Sequence, residues 1–511
     1  MYSTVTTAIL HGINSILVQV ESDVSNGMPL FEMVGFLSAE VKEAKERVRT
    51  ALRCNGYQLP PKRITVNISP ANIKKTGAGF DLPIAISVLM SMEAIEHKDL
   101  SQMLIIGEMG LDGRIQAING VLPIVLAAKE KGIKICMVPK ENLTEAKLVP
   151  EITTIGVETL REAIEYLEHD TYKEPENGRK ILDQEDNDYL YDFARIQGQV
   201  MLKRACEVAM SGMHNLLMIG PPGAGKTMVA KCIPSIMPKL TIEEQMELSK
   251  IYSICGMFQH REQLMEQRPF RSPHHTISAS GLAGGGNVPK PGEISLAHSG
   301  VLFLDELPEF HKNTLEILRQ PMEDKQVTIS RVSGSYTFPA NFVLVAAMNP
   351  CTCGYYPDRN RCRCSADNIR RYLGKISQPL LDRIDICMEA PQIAFRELTS
   401  HNQGECSSDI RQRVEAVHEI QSRRFEREKF NYNSQIPVEL LDQYCGLDTK
   451  ESGYMEQIYE KMQLTARTYH KLLRVARTIA DMNQSEKILI PHLQEAVCYR
   501  GFDKKYWESD I

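Results

Sequence analysis

The residues able to do chemistry fall along this chain in a telling order. Gly220-Pro221-Pro222-Gly223-Ala224-Gly225-Lys226-Thr227 lies between the apolar run Asn215-Leu-Leu-Met-Ile219 and Met228-Val-Ala230. That spacing reads as strand, loop and helix, the context that separates a phosphate-binding loop from a chance glycine pattern. Its backbone N–H groups can turn inward and, with the N-terminus of the next helix, form an anion cradle. Lys226 is expected to reach the β- and γ-phosphates of a nucleoside triphosphate, and the Thr227 hydroxyl to hold Mg²⁺. Downstream, the buried-strand run Val301-Leu-Phe-Leu304 ends in Asp305-Glu306. An acid at the C-terminal end of such a strand points toward the phosphate loop. There Asp305 would hold the Mg²⁺ shell, and Glu306 would orient and deprotonate an attacking water. A second buried run, Phe342–Met348, ends in Asn349, placed to sit beside the γ-phosphate and report its presence. Directly after it come Cys351-Thr-Cys353 and Cys362-Arg-Cys364. Four thiolates in two close pairs can close a tetrahedral structural Zn²⁺ site. C-x-C pairs are less typical of such sites than C-x-x-C, so reduced thiols on an insertion loop remain the alternative.

Positioning these groups takes a parallel sheet, and the chain has ample length for one. Its 511 residues leave room for about three domains. Residues 1–167 alternate short β-like runs (Ile16–Val20, Ile64–Ile68, Met103–Ile106) with helical stretches such as Ala39–Arg53. An acidic, Asn-containing segment, 168–192, reads as a linker. The phosphate-loop core occupies 193–391, and a charged, helix-period region, 392–511, has its last long helix starting near Leu464. Hydrophobic content of 43% and charged content of 24% are ordinary for a soluble chain. Met1-Tyr-Ser-Thr-Val lacks the basic-then-apolar pattern of a signal peptide. No apolar segment is long enough to cross a bilayer. The 13 cysteines are odd in number and scattered apart from the one cluster, which suits reduced thiols in a cytoplasm. A net charge of −6 means any DNA contact must come from local basic patches.

Pro379-Leu-Leu-Asp-Arg-Ile-Asp385 completes the series. In this order the elements resemble AAA+ ATPases, specifically the helix-2-insert group containing magnesium-chelatase I subunits and MCM helicases. The resemblance implies that Arg383 reaches the ATP of a neighbouring subunit and stabilises transition-state charge. The plain alternative is a salt bridge with Asp382 or Asp385. An arginine acting between subunits requires a homo-oligomer with heterologous contacts, which the resemblance makes a hexameric ring. Ala466-Arg467-Thr-Tyr-His-Lys-Leu-Leu-Arg474 resembles the second sensor of that group, with Arg467 the first choice for the γ-phosphate and Arg474 the reserve. Basic residues on a helix are otherwise a solvated face. Arg268-Pro-Phe-Arg-Ser-Pro-His-His275, Gly284–Gly286, Pro291–His298 and Leu302–Phe310 join these motifs. Together they resemble the ComM/YifB family of magnesium-chelatase-like ATPases over nearly the whole chain. The implied fold is α/β: a phosphate-loop core with a helix-2 insert and a pre-sensor hairpin, an N-terminal α+β Lon-protease-like (ribosomal S5-like) domain and a C-terminal helical lid. The implied activity is that of a bacterial cytoplasmic hexamer using ATP and Mg²⁺; the competence member is a DNA branch-migration helicase in natural transformation.

Two inserts bear on that implication. The glycine-containing stretch Glu262–Glu293 is expected to be a mobile loop, and Gln326–Phe338 alternates like a β-hairpin around Ser333-Gly334. In the resembled group both project into the ring channel. Lys325, Arg331, Arg268 and Arg271 could then meet DNA phosphates, and His274 and His275 could stack or bond there. Being adjacent, the two histidines suit packing or DNA contact better than one shared metal. In the first domain, Asn67–Ile84, Gly107–Arg114 and Ala127–Lys134 carry the Lon-like resemblance. A working Lon site needs a serine activated by a lysine. Those positions fall near Gly79 and Ile124, while Ser87, Ser91 and Lys129 stand elsewhere. No protease activity is expected. Arg47, Arg49, Arg53, Lys62, Arg63, Lys74 and Lys75 are either a DNA-facing patch or solvated charges. Three function classes follow: a DNA motor, a chelatase-type or protein-remodelling ATPase, and, disfavoured, an ATP-dependent protease.

Overall fold

In the computed structural model, residues 2–170, 191–258, 261–331, 334–393, 404–500 and 504–508 are described. Most of the expected 168–192 linker and the tip of the expected hairpin lie outside them.

The N-terminal part is built on a seven-stranded sheet. Its order is Leu30–Val34, Arg63–Ser69, Asn14–Ser25, Tyr2–His11, Met103–Ile105, Ile135–Pro139 and Thr153–Val157. Strict alternation makes Arg63–Ser69 a half-buried strand, with Ile64, Val66 and Ile68 inward. Helix Ala39–Cys54 is capped by Ser38 and lays Val41, Ala44, Val48 and Leu52 on the sheet. Helix Asp81–Ser91 is buried at every position, as its unbroken apolar sequence requires. On the opposite face, helix Val121–Glu130 shares a core with Leu104, Ile106 and Val138.

That last helix is where this part meets the core. The Gly120 N–H donates to Ser253 O at 3.0 Å, the Ser253 hydroxyl donates to Glu145, and Met246 and Leu264 pack on the same cluster. Gly256, at φ 72°, sits where a Cβ would fall 2.6 Å from Asn119, so the joint needs glycine on steric and conformational grounds.

The core is a five-stranded parallel sheet in the order Phe270–Arg271, Val301–Leu304, Val343–Met348, Leu216–Ile219, Ile386–Glu389. Its three middle strands are buried at every residue, the signature of a parallel sheet covered on both faces. After Leu216–Ile219 the chain runs to the far edge, works back inward, then crosses to Ile386–Glu389. Strand order therefore reverses beside the phosphate-loop strand, where open α/β sheets hold ligands at their strand C-termini.

The expected hairpin is present as Gln326–Arg331 paired with Gly334–Pro339. The Glu262–Glu293 stretch contains an edge strand, a short helix Ala279–Ala283 and a small Gly284–Gly285/Lys290–Pro291 ladder. Helices Ser407–Arg424, Ala466–Met482 and Ile490–Cys498 close one face of the sheet through Ile410, Val414, Leu472, Val475, Ile479 and Leu493. The long helix expected near Leu464 starts at Ala466, where the Thr465 hydroxyl accepts the Thr468 N–H. It is followed by a further helix that sequence periodicity alone missed.

Candidate nucleotide-binding site and its partner face

The phosphate loop closes around its own lysine. Gly223 and Gly225 take φ of 75° and 83° with nothing within 4 Å of a built Cβ, so glycine supplies the turn and leaves the cradle open. Gly225 caps helix Lys226–Ile236, whose first N–H groups face the cradle. Lys226 is buried; its ammonium donates to Gly220 O at 2.7 Å, Pro221 O at 3.0 Å and Asn349 Oδ1 at 3.1 Å. Burial pulls its pKa below the usual lysine range, opposed by Asp305 and Glu306. The Thr227 hydroxyl donates to Asp305 Oδ2 at 2.7 Å, and the Glu306 N–H to Asp305 Oδ1 at 2.9 Å. Glu306 holds a left-handed φ of 52°, and its carboxylate lies 3.8 Å from His275 Nδ1. These groups line a cavity of about 400 Å³ together with Pro222, Ala224, Met228 and Met348. The structure thus brings together Gly220–Thr227, Asp305, Glu306 and Asn349.

Arg383 and Arg467 are not there. They line a separate cavity of about 810 Å³ with Lys325, Glu323, Asp382, Asp385, Lys471 and Arg474. Arg383 pairs with Glu323 at 2.6 Å and donates to Pro379 O at 2.6 Å; its Nε is buried without a partner among the described residues. The plain alternative, a salt bridge with Asp382 or Asp385, is not what forms; the ion pair is with Glu323. Arg467 lies 3.8 Å from Asp382. Arg474 donates to Ile436 O at 2.8 Å. The turn carrying Arg383 is anchored from below. Asp385 accepts the Asn215 N–H at 3.1 Å and pairs with Lys471 at 3.3 Å, while Asn215 Nδ2 donates to Arg383 O at 2.9 Å. Burial disfavours charge on Asp385, but Lys471, His214 and the Asn215 N–H outweigh it and hold the carboxyl well below the usual range.

The four cysteine sulfurs of the cluster lie within 4.8 Å of one another, with Cys351 Sγ 3.3 Å from Cys353 Sγ and 3.7 Å from Cys362 Sγ. A tetrahedral Zn²⁺ with ligands at about 2.3 Å needs sulfurs about 3.8 Å apart, so the set fits. The loop leans on the phosphate loop: a Cβ on Gly354 would fall 2.4 Å from Pro222 Cδ.

Several expected DNA contacts are corrected. Arg268 is buried; it donates to Pro238 O and Ser299 O, both at 2.6 Å, and pairs with Glu244. Arg271 is committed to Glu293 at 2.7 Å. Lys325, in a left-handed conformation, faces the arginine cavity. In the N-terminal patch, Lys75 is fully buried on Pro70 O and Arg47 holds buried Asp81 at 2.7 Å. Ser87 bonds Ser22 and Ser3, and Lys129 pairs with Glu151. Sequence reading missed Gln199. Its amide donates to Ala224 O at 3.0 Å and Pro391 O at 2.7 Å, tying the phosphate loop to the chain just past the core's last strand. A lone glutamine ahead of a helix carries no periodic signal; only its left-handed φ of 53°, invisible in sequence, marks it.

A parallel sheet with this cradle, acid pair and polar strand end defines a phosphate-loop nucleotide-binding protein of the AAA+ type. Residues 192–398 match the family described as magnesium chelatase, subunit ChlI. Residues 20–142 match subunit ChlI of Mg-chelatase, and 404–500 its C-terminal family. The chain is 40% identical over 494 residues to competence protein ComM of Haemophilus influenzae, covering 96% of each. It is also 40% identical over 506 residues to YifB of Escherichia coli, covering 98% of this chain and 97% of that one. A 143-residue stretch is 29% identical to Lon protease 2 of Bacillus subtilis, covering 26% of each. The chain belongs to the ComM/YifB family of magnesium-chelatase-like proteins. Among the described residues, no helix is long and apolar enough to cross a membrane.

Proposed function

We propose that this chain hydrolyses ATP in a ring of identical subunits, a hexamer by family resemblance, and uses that cycle to move branched DNA. One observation carries the ring: among the described residues no arginine lines the phosphate cavity, while Arg383 and Arg467 line a different cavity of the same chain. A charge-stabilised transition state is completed only if that second face meets a neighbour's first.

In this mechanism the loop amides and Lys226 bind the β- and γ-phosphates. The Thr227 hydroxyl already donates to the Asp305 carboxylate at 2.7 Å, and these would be the two side-chain oxygens that hold Mg²⁺. Held there, Mg²⁺ would supply charge neutralisation for the phosphates. Glu306 takes a proton from water as its oxygen attacks the γ-phosphorus and the bond to ADP breaks. Asn349 exchanges its bond to Lys226 for one to the γ-phosphate, and Arg383 of the partner subunit, with Arg467 beside it, takes up the developing charge. Hairpin and insert then transmit the change to DNA. The name of the Haemophilus relative, a competence protein, supports the DNA reading. The chelatase family descriptions favour the second reading, a remodeller of a partner protein.

ATPase rates without DNA, then with single strands, duplex and a four-way junction, separate the two. We expect stimulation of several-fold or more, greatest with the junction. Robust basal turnover indifferent to every DNA would overturn the motor and leave the remodeller. The cysteine cluster is proposed to hold one structural Zn²⁺, which fixes the loop leaning on Pro222. Elemental analysis of the purified chain should find about one zinc per subunit, lost in Cys351→Ser and in Cys364→Ser; metal-free wild type would sink the assignment.

A further inference from the structure

In this acidic chain many arginines are neutralised at short range. Arg47, Arg63, Arg204, Arg268, Arg271 and Arg424 all sit on carboxylates within 3.2 Å. One stretch concentrates arginines that are not. Residues 355–375 hold six basic side chains against two acidic ones. Among the described residues no carboxylate pairs with Arg359, Arg361, Arg363 or Arg371, and all four are exposed.

The loop that displays them is built to hold its shape. The four cysteines gather its two ends, and Tyr356 packs edge-on to Tyr506 from the C-terminal segment. Two guanidiniums lie over aromatic rings, Arg361 at 3.9 Å from the Tyr355 centroid and Arg359 at 5.1 Å from that of Tyr356. Arg361 also donates to Gln392 Oε1 at 2.7 Å, and Arg359 to Cys364 O at 3.2 Å. Aromatic backing lowers the entropy cost when a guanidinium meets a phosphate. Arg371 extends the charge onto helix Ala366–Leu373.

We propose that this arginine-bearing knuckle is a contact surface for the DNA phosphate backbone. It deepens the DNA-motor reading and rests on it. Four unneutralised guanidiniums spread over a loop and a following helix suit a repeating polyanion better than a single phosphate group. No base-reading geometry is needed, so the contact is indifferent to sequence. Because Gly354 of the same loop packs on Pro222, DNA pressing on the knuckle presses on the nucleotide loop, a direct route from DNA binding to turnover.

The test is a salt series on full-length protein with a fluorescent single-stranded oligonucleotide and a labelled four-way junction, read by anisotropy. The variant is Arg359→Gln/Arg363→Gln/Arg371→Gln, which spares the tethered Arg361. The control, Lys131→Gln/Arg161→Gln/Lys450→Gln, removes three exposed charges elsewhere. For single strands the slope of log affinity against log salt should flatten by about 2, at about 0.7 for each phosphate that is no longer neutralised. The control should keep the wild-type slope, and DNA-free ATPase should be unchanged in both. Wild-type slope in the knuckle variant overturns the surface while leaving the motor standing. Loss of ring assembly with the slope intact also overturns it, reassigning the arginines to a subunit interface. Wild-type protein that binds neither DNA at low salt removes the motor reading and this surface together.

Discussion

Lys226→Ala is expected to bring ATP turnover to background and to weaken nucleotide binding. Among the described residues lining the phosphate cavity the ammonium is the one cationic group, and it faces the site where γ-phosphate charge grows. Losing one such donor costs about 10²–10³-fold in rate elsewhere, and here the ground-state contact goes too. Fold stability should barely move. The three acceptors that Lys226 now serves, Gly220 O, Pro221 O and Asn349 Oδ1, border an open cradle where water can replace it. Unchanged thermal unfolding beside abolished turnover is the pattern that separates a site residue from a structural one. Full ATPase activity in the variant would refute the site. There is also a pH signature. Burial favours the neutral amine, so wild-type nucleotide affinity should fall as pH rises through a pKa below the ordinary lysine value, and the alanine variant should lose that dependence.

Lys226 and its companions were legible because their signals are local. A phosphate loop is a strand, a glycine turn and a helix in consecutive residues, and each polar group that joins it ends a run of buried β residues. The hairpin Gln326–Pro339 was legible for the same reason, through alternation. Basic residues were not. Arg268, Arg271, Arg47 and Lys75 look in sequence like any solvated cation. Their fates are decided by acceptors brought in by the fold: Ser299 O for Arg268, Asp81 for Arg47, Pro70 O for Lys75. The same holds for Arg383, whose partner Glu323 comes from the helix before the hairpin. Whether a charge faces solvent, a ligand or a buried acid is a tertiary property, so residue type alone could not sort the patch. It took the clustering of Arg359, Arg361, Arg363 and Arg371 on one cysteine-gathered loop and its following helix to mark a surface with work left to do.

Arg383→Ala should lower ATP turnover by about 10³–10⁵, the range seen for trans-acting arginines, while nucleotide binding and assembly survive. In the isolated chain the guanidinium is held by Glu323 and Pro379 O, with Nε spare. The turn beneath it is fixed by Asn215, Asp385 and Lys471. It is therefore a preorganised group aimed away from its own phosphate loop, and its loss touches chemistry without touching the cradle. A mixing experiment decides whether it works between subunits. Arg383→Ala keeps an intact phosphate loop, and Lys226→Ala keeps an intact arginine. Each is dead alone. Mixed in equal amounts and allowed to exchange, random assembly joins a sound loop to a sound arginine at roughly one interface in four, so turnover should return to about a quarter of wild type. If Arg383 served its own subunit, every site in the mixture would lack one group or the other. The mixture would stay as inactive as its parts, and the ring mechanism would fall with it.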